Sequence, residues 1–145
     1  MKRNNLTFHK LVECNICVMV HESHPLAKQE MLTEEDLTDY PFIAFESGKH
    51  NSHYFAEEYL NEDTENVNIE VSDRACMMML MQELNAYTHV AGIASENIVN
   101  KEFVIIPIDE KKKTEVGYIK KANIELSEYG KKYIDKLIST INKQG

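Results

Sequence analysis

Tryptophan is absent, and cysteine, proline and glycine are scarce: three Cys, three Pro and five Gly in 145 residues. The odd, scattered Cys14, Cys17 and Cys76 make no disulfide framework, in keeping with a reducing compartment. There is no repeat, no low-complexity run and no Gly-rich phosphate loop. Long apolar runs are missing too. The longest, Ala75 to Met81, falls far short of the roughly 20 residues that span a bilayer, and the N-terminal Lys2-Arg3-Asn4-Asn5 leads into no apolar signal core. A soluble, cytoplasmic protein is expected, with no membrane partner. Positive charge is in deficit: 16 Lys and Arg against 24 Asp and Glu give a net charge of -8. Such a surface repels phosphate backbones, so direct nucleic-acid binding by this chain is not expected. What is present is core material, 43% hydrophobic residues, enough for one ordinary domain or two small lobes.

Periodicity places strands and helices in alternation. Leu11 to Val20 reads as a strand with two apolar faces, and Thr33 opens a short helix with Asp36 three residues on, stopped near Tyr40 by Pro41. Phe42 to Phe45 is a strand ending in Glu46-Ser47-Gly48, and Phe55, Tyr59 and Leu60 mark a helix over about 51–60. Val67, Ile69 and Val71 alternate as a strand; Ser72 or Asp73 caps a helix over Ala75 to Tyr87, and Thr88 to Ala94 is a further strand. A buried strand over Phe103 to Ile108 is followed by a charged linker, Asp109 to Lys113, a strand around Val116 to Ile119 and an amphipathic helix opened by Ser127.

Such alternation argues for α/β layers with a mainly parallel sheet, whose ligand edge lies at the carboxyl ends of the strands. Three strand ends finish at a hydroxyl residue, Ser47, Ser72 and Ser95, two of them before helix N-termini with free N–H groups. Such a rim suits a small anion. Each serine taken singly is equally well explained as a cap or turn residue.

Other constellations carry less. Cys14 and Cys17 have zinc or redox spacing, but residues three apart on a strand point to opposite faces, so both read as core packing. His21/His24 and His50/His53 show HxxH spacing without a helical HExxH, and histidines in turns are usually solvated; no metal is expected. Cys76 with a histidine has no implied geometry. The helix carrying Cys76, Met77, Met78, Met79, Leu80 and Met81 is apolar nearly all round. Two readings stand: a helix deep in the core, or an adaptable interface helix rimmed by Gln82, Glu83 and Asn85.

In order along the chain, His24-Pro25-Leu26-Ala27, Leu32 to Leu37, Tyr40-Pro41-Phe42-Ile43, Ala91-Gly92-Ile93-Ala94, Val116-Gly117-Tyr118-Ile119 with Leu126-Ser127, and Tyr133 to Leu137 resemble the effector-binding domain of LysR-type transcriptional regulators. The resemblance runs from about Leu11 to Ile141. It implies a periplasmic-binding-protein-like (type II) α/β fold. Residues 1–109 would be the second lobe with its hinge strands, and residues 110–145 a linker with the last strand and closing helix of the first lobe. The family's winged helix-turn-helix, linker helix and first half-lobe would lie before this chain's start, so DNA contact belongs to a domain outside it.

The resemblance further implies a small effector, often an anion, bound between the lobes. Carried-over positions are Phe45, Glu46 and Ser47, and Gly92, Ile93, Ala94 and Ser95, which agree with the rim that includes Ser72. Ser95-Glu96-Asn97 departs from the family's second glycine and Leu-Pro. Side-by-side dimerisation in the family points to Met77, Met78 and Met81 as interface residues, with homodimers or higher self-association expected. No cofactor is implied. The reading is a non-enzymatic effector-sensing portion of a regulator. The alternatives are a free-standing small-molecule binding module of the same fold, or an enzyme with Glu46 as its one strand-end acid or base.

Overall fold

The structure is a computed structural model that describes residues 5–45, 67–93, 101–109 and 113–141. Its first strand, β1 (Leu6–His21), is longer than the expected Leu11 to Val20. From Leu6 to Asn15 its side chains are exposed or half-buried, whereas from Ile16 to His21 every one is buried. The strand thus crosses the division of the chain into two compact units, one of Asn15–Thr114 and one of Met1–Cys14 with Glu115–Gly145. In this division residues 1–14 group with the tail. The reason is the extra length of β1, whose first part pairs with a strand near the C-terminus.

In the larger unit, β2 (Phe42–Phe45) pairs parallel with β3 (Val67–Val71), bringing Phe45 opposite Val71. On its other side β2 meets the residue that enters β4 (Thr88–Ala91), again parallel: the Ile43 N–H donates to the Tyr87 carbonyl and the Tyr87 N–H to the Pro41 carbonyl. A further parallel bridge joins Leu32 to Ile108. The second half of β1 instead pairs antiparallel with β4 and with β5 (Phe103–Pro107), Met19 lying opposite Thr88 and Ile105. The parallel order expected from alternating strands and helices therefore holds for β3, β2 and β4, and the long entering strand makes the layer mixed.

Both faces of this layer are covered. Val18, Val20, Phe42, Ala44 and Ile106 face one cluster with Leu32, Leu37, Tyr87 and Ile108. Met19 and Ile43, next to them in sequence, face the other with Val71, Met77, Met81 and Ala86. This is the period of two that a pleated strand imposes, doubled because each face has its own cover.

Short helices close the layer. The single turn α1 (Glu34–Leu37) is held by Asp36, whose carboxylate accepts from the Thr33 N–H at 2.8 Å and the Thr33 hydroxyl at 2.7 Å. Those two hydrogen bonds hold the Asp36 carboxyl below its usual pKa. In α2 (Arg74–Leu84), Asp73 rather than Ser72 is the cap, accepting from the Cys76 N–H at 2.9 Å. The helix ends before the expected Tyr87 because Asn85 takes the left-handed conformation, φ 48° and ψ 48°, releasing Tyr87 into the strand layer.

The smaller unit holds the first part of β1, β6 (Lys113–Lys121) from Glu115 onward, and α3 (Glu128–Ile141). β6 pairs with β1, and the rings of His9 and Tyr118 stack at 4.8 Å. Gly117 is required by close approach: a Cβ there would run into the His9 carbonyl and lie 2.7 Å from the Phe8 ring. Ser127 opens α3 as expected, its hydroxyl accepting from the Gly130 N–H at 3.1 Å. None of this unit's described residues is buried.

Candidate functional site

Because β3, β2 and β4 run parallel, their carboxyl ends lie on one side of the larger unit. Phe45 ends β2, half-buried; Ser72 follows β3 and is exposed; Gly92 follows β4 and is exposed, with Ile93 half-buried beside it. These four of the expected ligand residues therefore sit on neighbouring strand ends. The other four, Glu46, Ser47, Ala94 and Ser95, lie outside the described residues, as do His50 and His53. The three-hydroxyl rim is thus visible through Ser72 alone.

Sequence reading missed Arg74 at this rim. It is the first residue of α2, and its guanidinium carbon lies 5.7 Å from the centre of the Phe45 ring, within range of a cation–π contact. A cation three residues after a strand end, at a helix start, was the available signal. Asp73 works the other way: it brings a carboxylate to the same helix end and occupies the Cys76 N–H. The N–H groups of Arg74 and Ala75 have no partner within the helix, since the first turn of any helix leaves its leading donors free.

Gly92 is held tightly. Its N–H donates to the Asn15 carbonyl at 2.9 Å, and an added Cβ would lie 2.9 Å from that oxygen and 3.2 Å from Cys17 Sγ. Glycine is here because strand β4 must approach β1 closely, not because of an unusual φ.

The interface expectation needs correction. Met77 and Met81 point into the core of the chain itself, at 5% and 0% exposure, because that side of α2 packs on Ile43 and Val71. Met78 is half-buried, and the exposed methionine is Met79 at 68%. The core reading left open by the sequence applies to the inward face.

Of the histidines singled out by sequence, His21 and His24 are not solvated. His21 is buried with its ring nearly perpendicular to that of Phe103, and its Nδ1 lies 2.7 Å from the Ser23 hydroxyl and 3.2 Å from the Ser23 backbone nitrogen. His24 is more deeply buried. Its Nδ1 accepts from the Leu26 N–H at 3.0 Å, which leaves Nε2 to carry the proton it donates to the Asn85 carbonyl at 3.0 Å. Burial holds the His24 imidazole below its usual pKa, opposed by the hydrogen bond to Asn85. Both rings brace the turn after β1. Cys14 is half-buried, Cys17 buried and Cys76 exposed, all as free thiols, and no metal-binding cluster occurs among the described residues. No described helix is long and apolar enough to cross a membrane.

Comparison with known proteins gives this arrangement a family. A curated relative, the malolactic fermentation system transcriptional activator of Lactococcus lactis subsp. lactis, is 28% identical over 139 residues, which are 93% of this chain and 47% of that protein. The chain therefore spans about half the length of that relative. Among solved structures, HinK, a LysR family transcriptional regulator from Pseudomonas aeruginosa, superposes with a TM-score of 0.71 at 13% identity, covering 99% of this chain and 51% of HinK. The effector-binding domain of QuiR in complex with shikimate superposes at 0.63 with 18% identity, covering 98% of this chain and 68% of that domain. At these identities the two structures speak for the fold, a periplasmic-binding-protein-like α/β lobe architecture. The profile of the LysR substrate binding domain matches residues 2–138, nearly the whole sequence, and the chain belongs to that family.

Proposed function

We propose that this chain is the effector-sensing portion of a LysR-type transcriptional regulator, and that a small anionic molecule is received at the carboxyl ends of β3, β2 and β4. The observation that carries the reading is the juxtaposition of Phe45, Ser72 and Gly92 on adjacent parallel strand ends with the Arg74 guanidinium against the Phe45 ring. A carboxylate fits there because Arg74 offers a planar pair of donors, Ser72 a hydroxyl, and the first turn of α2 its leading N–H groups. Glu46, Ser47, Ala94 and Ser95 remain candidates at the same ends.

Charge argues for local rather than long-range recognition. By sequence, residues 15–114 carry seven Lys and Arg against 19 Asp and Glu, a net of -12. An incoming anion is repelled at a distance and held only by donors in contact. Signalling then works through a ligand-dependent shift between conformations of the regulator, with DNA read by a domain other than this one. The chain performs no catalysis on this reading, works in the cytoplasm without a cofactor, and self-associates through exposed residues such as Met79 rather than through Met77 or Met81.

A thermal-shift titration with small carboxylates, shikimate among them, and with inorganic phosphate and sulfate tests the site. A stabilising ligand is expected, its effect reduced about tenfold or more in apparent affinity by Arg74→Gln, a loss typical of a charge-assisted hydrogen bond. A ligand whose affinity is unchanged in both Arg74→Gln and Ser72→Ala would place the receptor elsewhere.

A further inference from the structure

We propose that His24 is a proton-responsive latch: while neutral, its ring ties the C-terminal end of α2 to the turn after β1, and on taking up a proton it lets that end go. The proposal does not rest on the effector reading.

Three separate segments of the larger unit meet at this one ring, which is 3% exposed. Nδ1 is occupied by the Leu26 N–H of the turn, and Nε2 by the carbonyl of Asn85, the residue that ends α2. The ring centre lies 4.4 Å from that of Tyr40, whose neighbour Pro41 accepts the Tyr87 N–H at 3.0 Å. His24 therefore stands at the amino ends of β2 and β4, away from the strand ends that carry Phe45 and Gly92.

This geometry requires the neutral ring. An imidazolium carries a proton on both nitrogens, so its Nδ1–H would meet the Leu26 N–H with no acceptor between them. No described side chain offsets the charge. Glu22 and Lys28 on the turn, Asp39 beside Tyr40, Glu83 on α2 and Glu102, whose carbonyl accepts the Glu22 N–H, are all exposed, and none acts on the ring. His21 is engaged with Ser23 and Phe103, and Tyr87 with Phe42 and His89. Uptake of a proton thus expels the ring toward water, and the Asn85 carbonyl loses its donor with it.

Asn85 makes that loss consequential. Among the described residues it is the one non-glycine with a positive φ, 48°, a conformation that costs energy in a residue with a side chain even though Asn tolerates it. Its carbonyl is fixed by Nε2, and the Ala86 N–H reaches the Met81 carbonyl at 3.2 Å. Release opens this last turn of the helix. Because α2 begins at Arg74 and carries the exposed Met79, acid becomes an input to that helix separate from any ligand.

Native-state hydrogen exchange on the intact chain at low denaturant, taken from neutral pH down into acid, tests the latch, together with 15N shifts of the His24 ring. The ring should titrate below the ordinary 6.5, from the tautomer protonated at Nε2. Amides of Leu26, Asn85 and Ala86 should exchange through a local opening almost independent of denaturant. Its population should rise roughly five- to tenfold from one pH unit above 6.5 to one below it, because the opened ring takes up the proton. His24→Gln should remove the rise, and His21→Gln should leave it. Exchange of these amides with the same denaturant dependence as Val18 and Ile106 overturns the proposal, since only global unfolding would then free them. So does a rise that persists in His24→Gln. Should that variant fail to fold, the unaltered chain decides: the rise must set in near pH 6.5 and level off at the ring's own midpoint, and a rise elsewhere on the pH scale assigns it to other groups.

Discussion

Strand β1 passes through both units, and the same kinds of side chain meet opposite fates along it. Leu6 and Phe8 stand exposed, while Val18 and Val20 are wholly buried. The difference is not composition. In the larger unit each face of the layer has a cover, α2 on one side and the segment around Leu32 and Leu37 on the other. In the smaller unit no described residue reaches burial. Charge follows the same division, since the overall net charge of -8 is the sum of -12 and +4 for the two stretches. A composition that looks uniformly acidic and sufficiently apolar therefore conceals one stretch that is self-sufficient and one that is not.

The sharpest way to break this contrast is to remove a core side chain. Phe42 is 1% exposed, and Phe42→Ala should cost about 3–5 kcal/mol in denaturant unfolding, as large-to-small core changes do. Tyr133→Ser on the smaller unit should change the same midpoint by less than about 0.5 kcal/mol, the range of ordinary surface substitutions. Equal losses at the two positions would mean that the units share one core.

Next in size is a methyl group where there is no room for it. Gly92→Ala must push β4 from the Asn15 carbonyl and Cys17 Sγ, at about 1–3 kcal/mol for overpacking. Gly117→Ala collides just as directly with the His9 carbonyl and Phe8, but in a ribbon with nothing buried. It should loosen the β1–β6 pairing, read by exchange at Tyr118, and leave the main unfolding midpoint in place. A drop in that midpoint as large as for Gly92→Ala would refute the separation.

These contrasts also explain what the sequence could and could not disclose. The order of strands, the Thr33–Asp36 turn, the Ser127 start of α3 and the placing of Phe45, Ser72 and Gly92 at strand ends are local patterns, and they were legible. Three features were not, because each depends on a neighbour distant in the chain. Burial of His24 requires the Asn85 carbonyl, which lies 61 positions away. The inward facing of Met77 and Met81 requires Ile43 and Val71. Arg74 becomes a rim residue only because Phe45 stands opposite the end of β3. The extension of β1 to Leu6 was hidden for a different reason: Thr7, His9 and Lys10 look polar, yet β6 alone is enough to hold them in a strand.

Acid offers a subtler probe of the larger unit. His24 is held below its usual pKa of 6.5, so near and below that value the unfolded chain binds a proton that the native ring resists. Its contribution is complete above about pH 6.5 and is lost as pH falls from there through the lower native value. Protonated Nδ1 would also confront the Leu26 N–H, donor against donor. No ionised side chain contributes to the shift; the ring faces Tyr40 and the Asn85 carbonyl. Asp36, whose pKa is likewise lowered, acts at more acid pH, below its ordinary 3.8, so the two windows separate. Denaturant midpoints should fall between pH 7.5 and 5.5, and His24→Gln should flatten that dependence. A slope unchanged in His24→Gln would assign it to other groups.

The smallest expected effect lies on α2, where one helix shows both behaviours. Met81, wholly buried, and Met79, 68% exposed, are two residues apart and therefore on nearly opposite sides. Met79→Lys keeps helix propensity and should change stability by less than about 0.5 kcal/mol. Its informative readout is association. If the exposed side of α2 is where copies of the regulator meet, a buried lysine at that contact weakens it, and sedimentation at micromolar concentration should show a shift toward monomer in Met79→Lys but not in Tyr133→Ser. The reverse pattern would move self-association to the smaller unit and remove α2 from it.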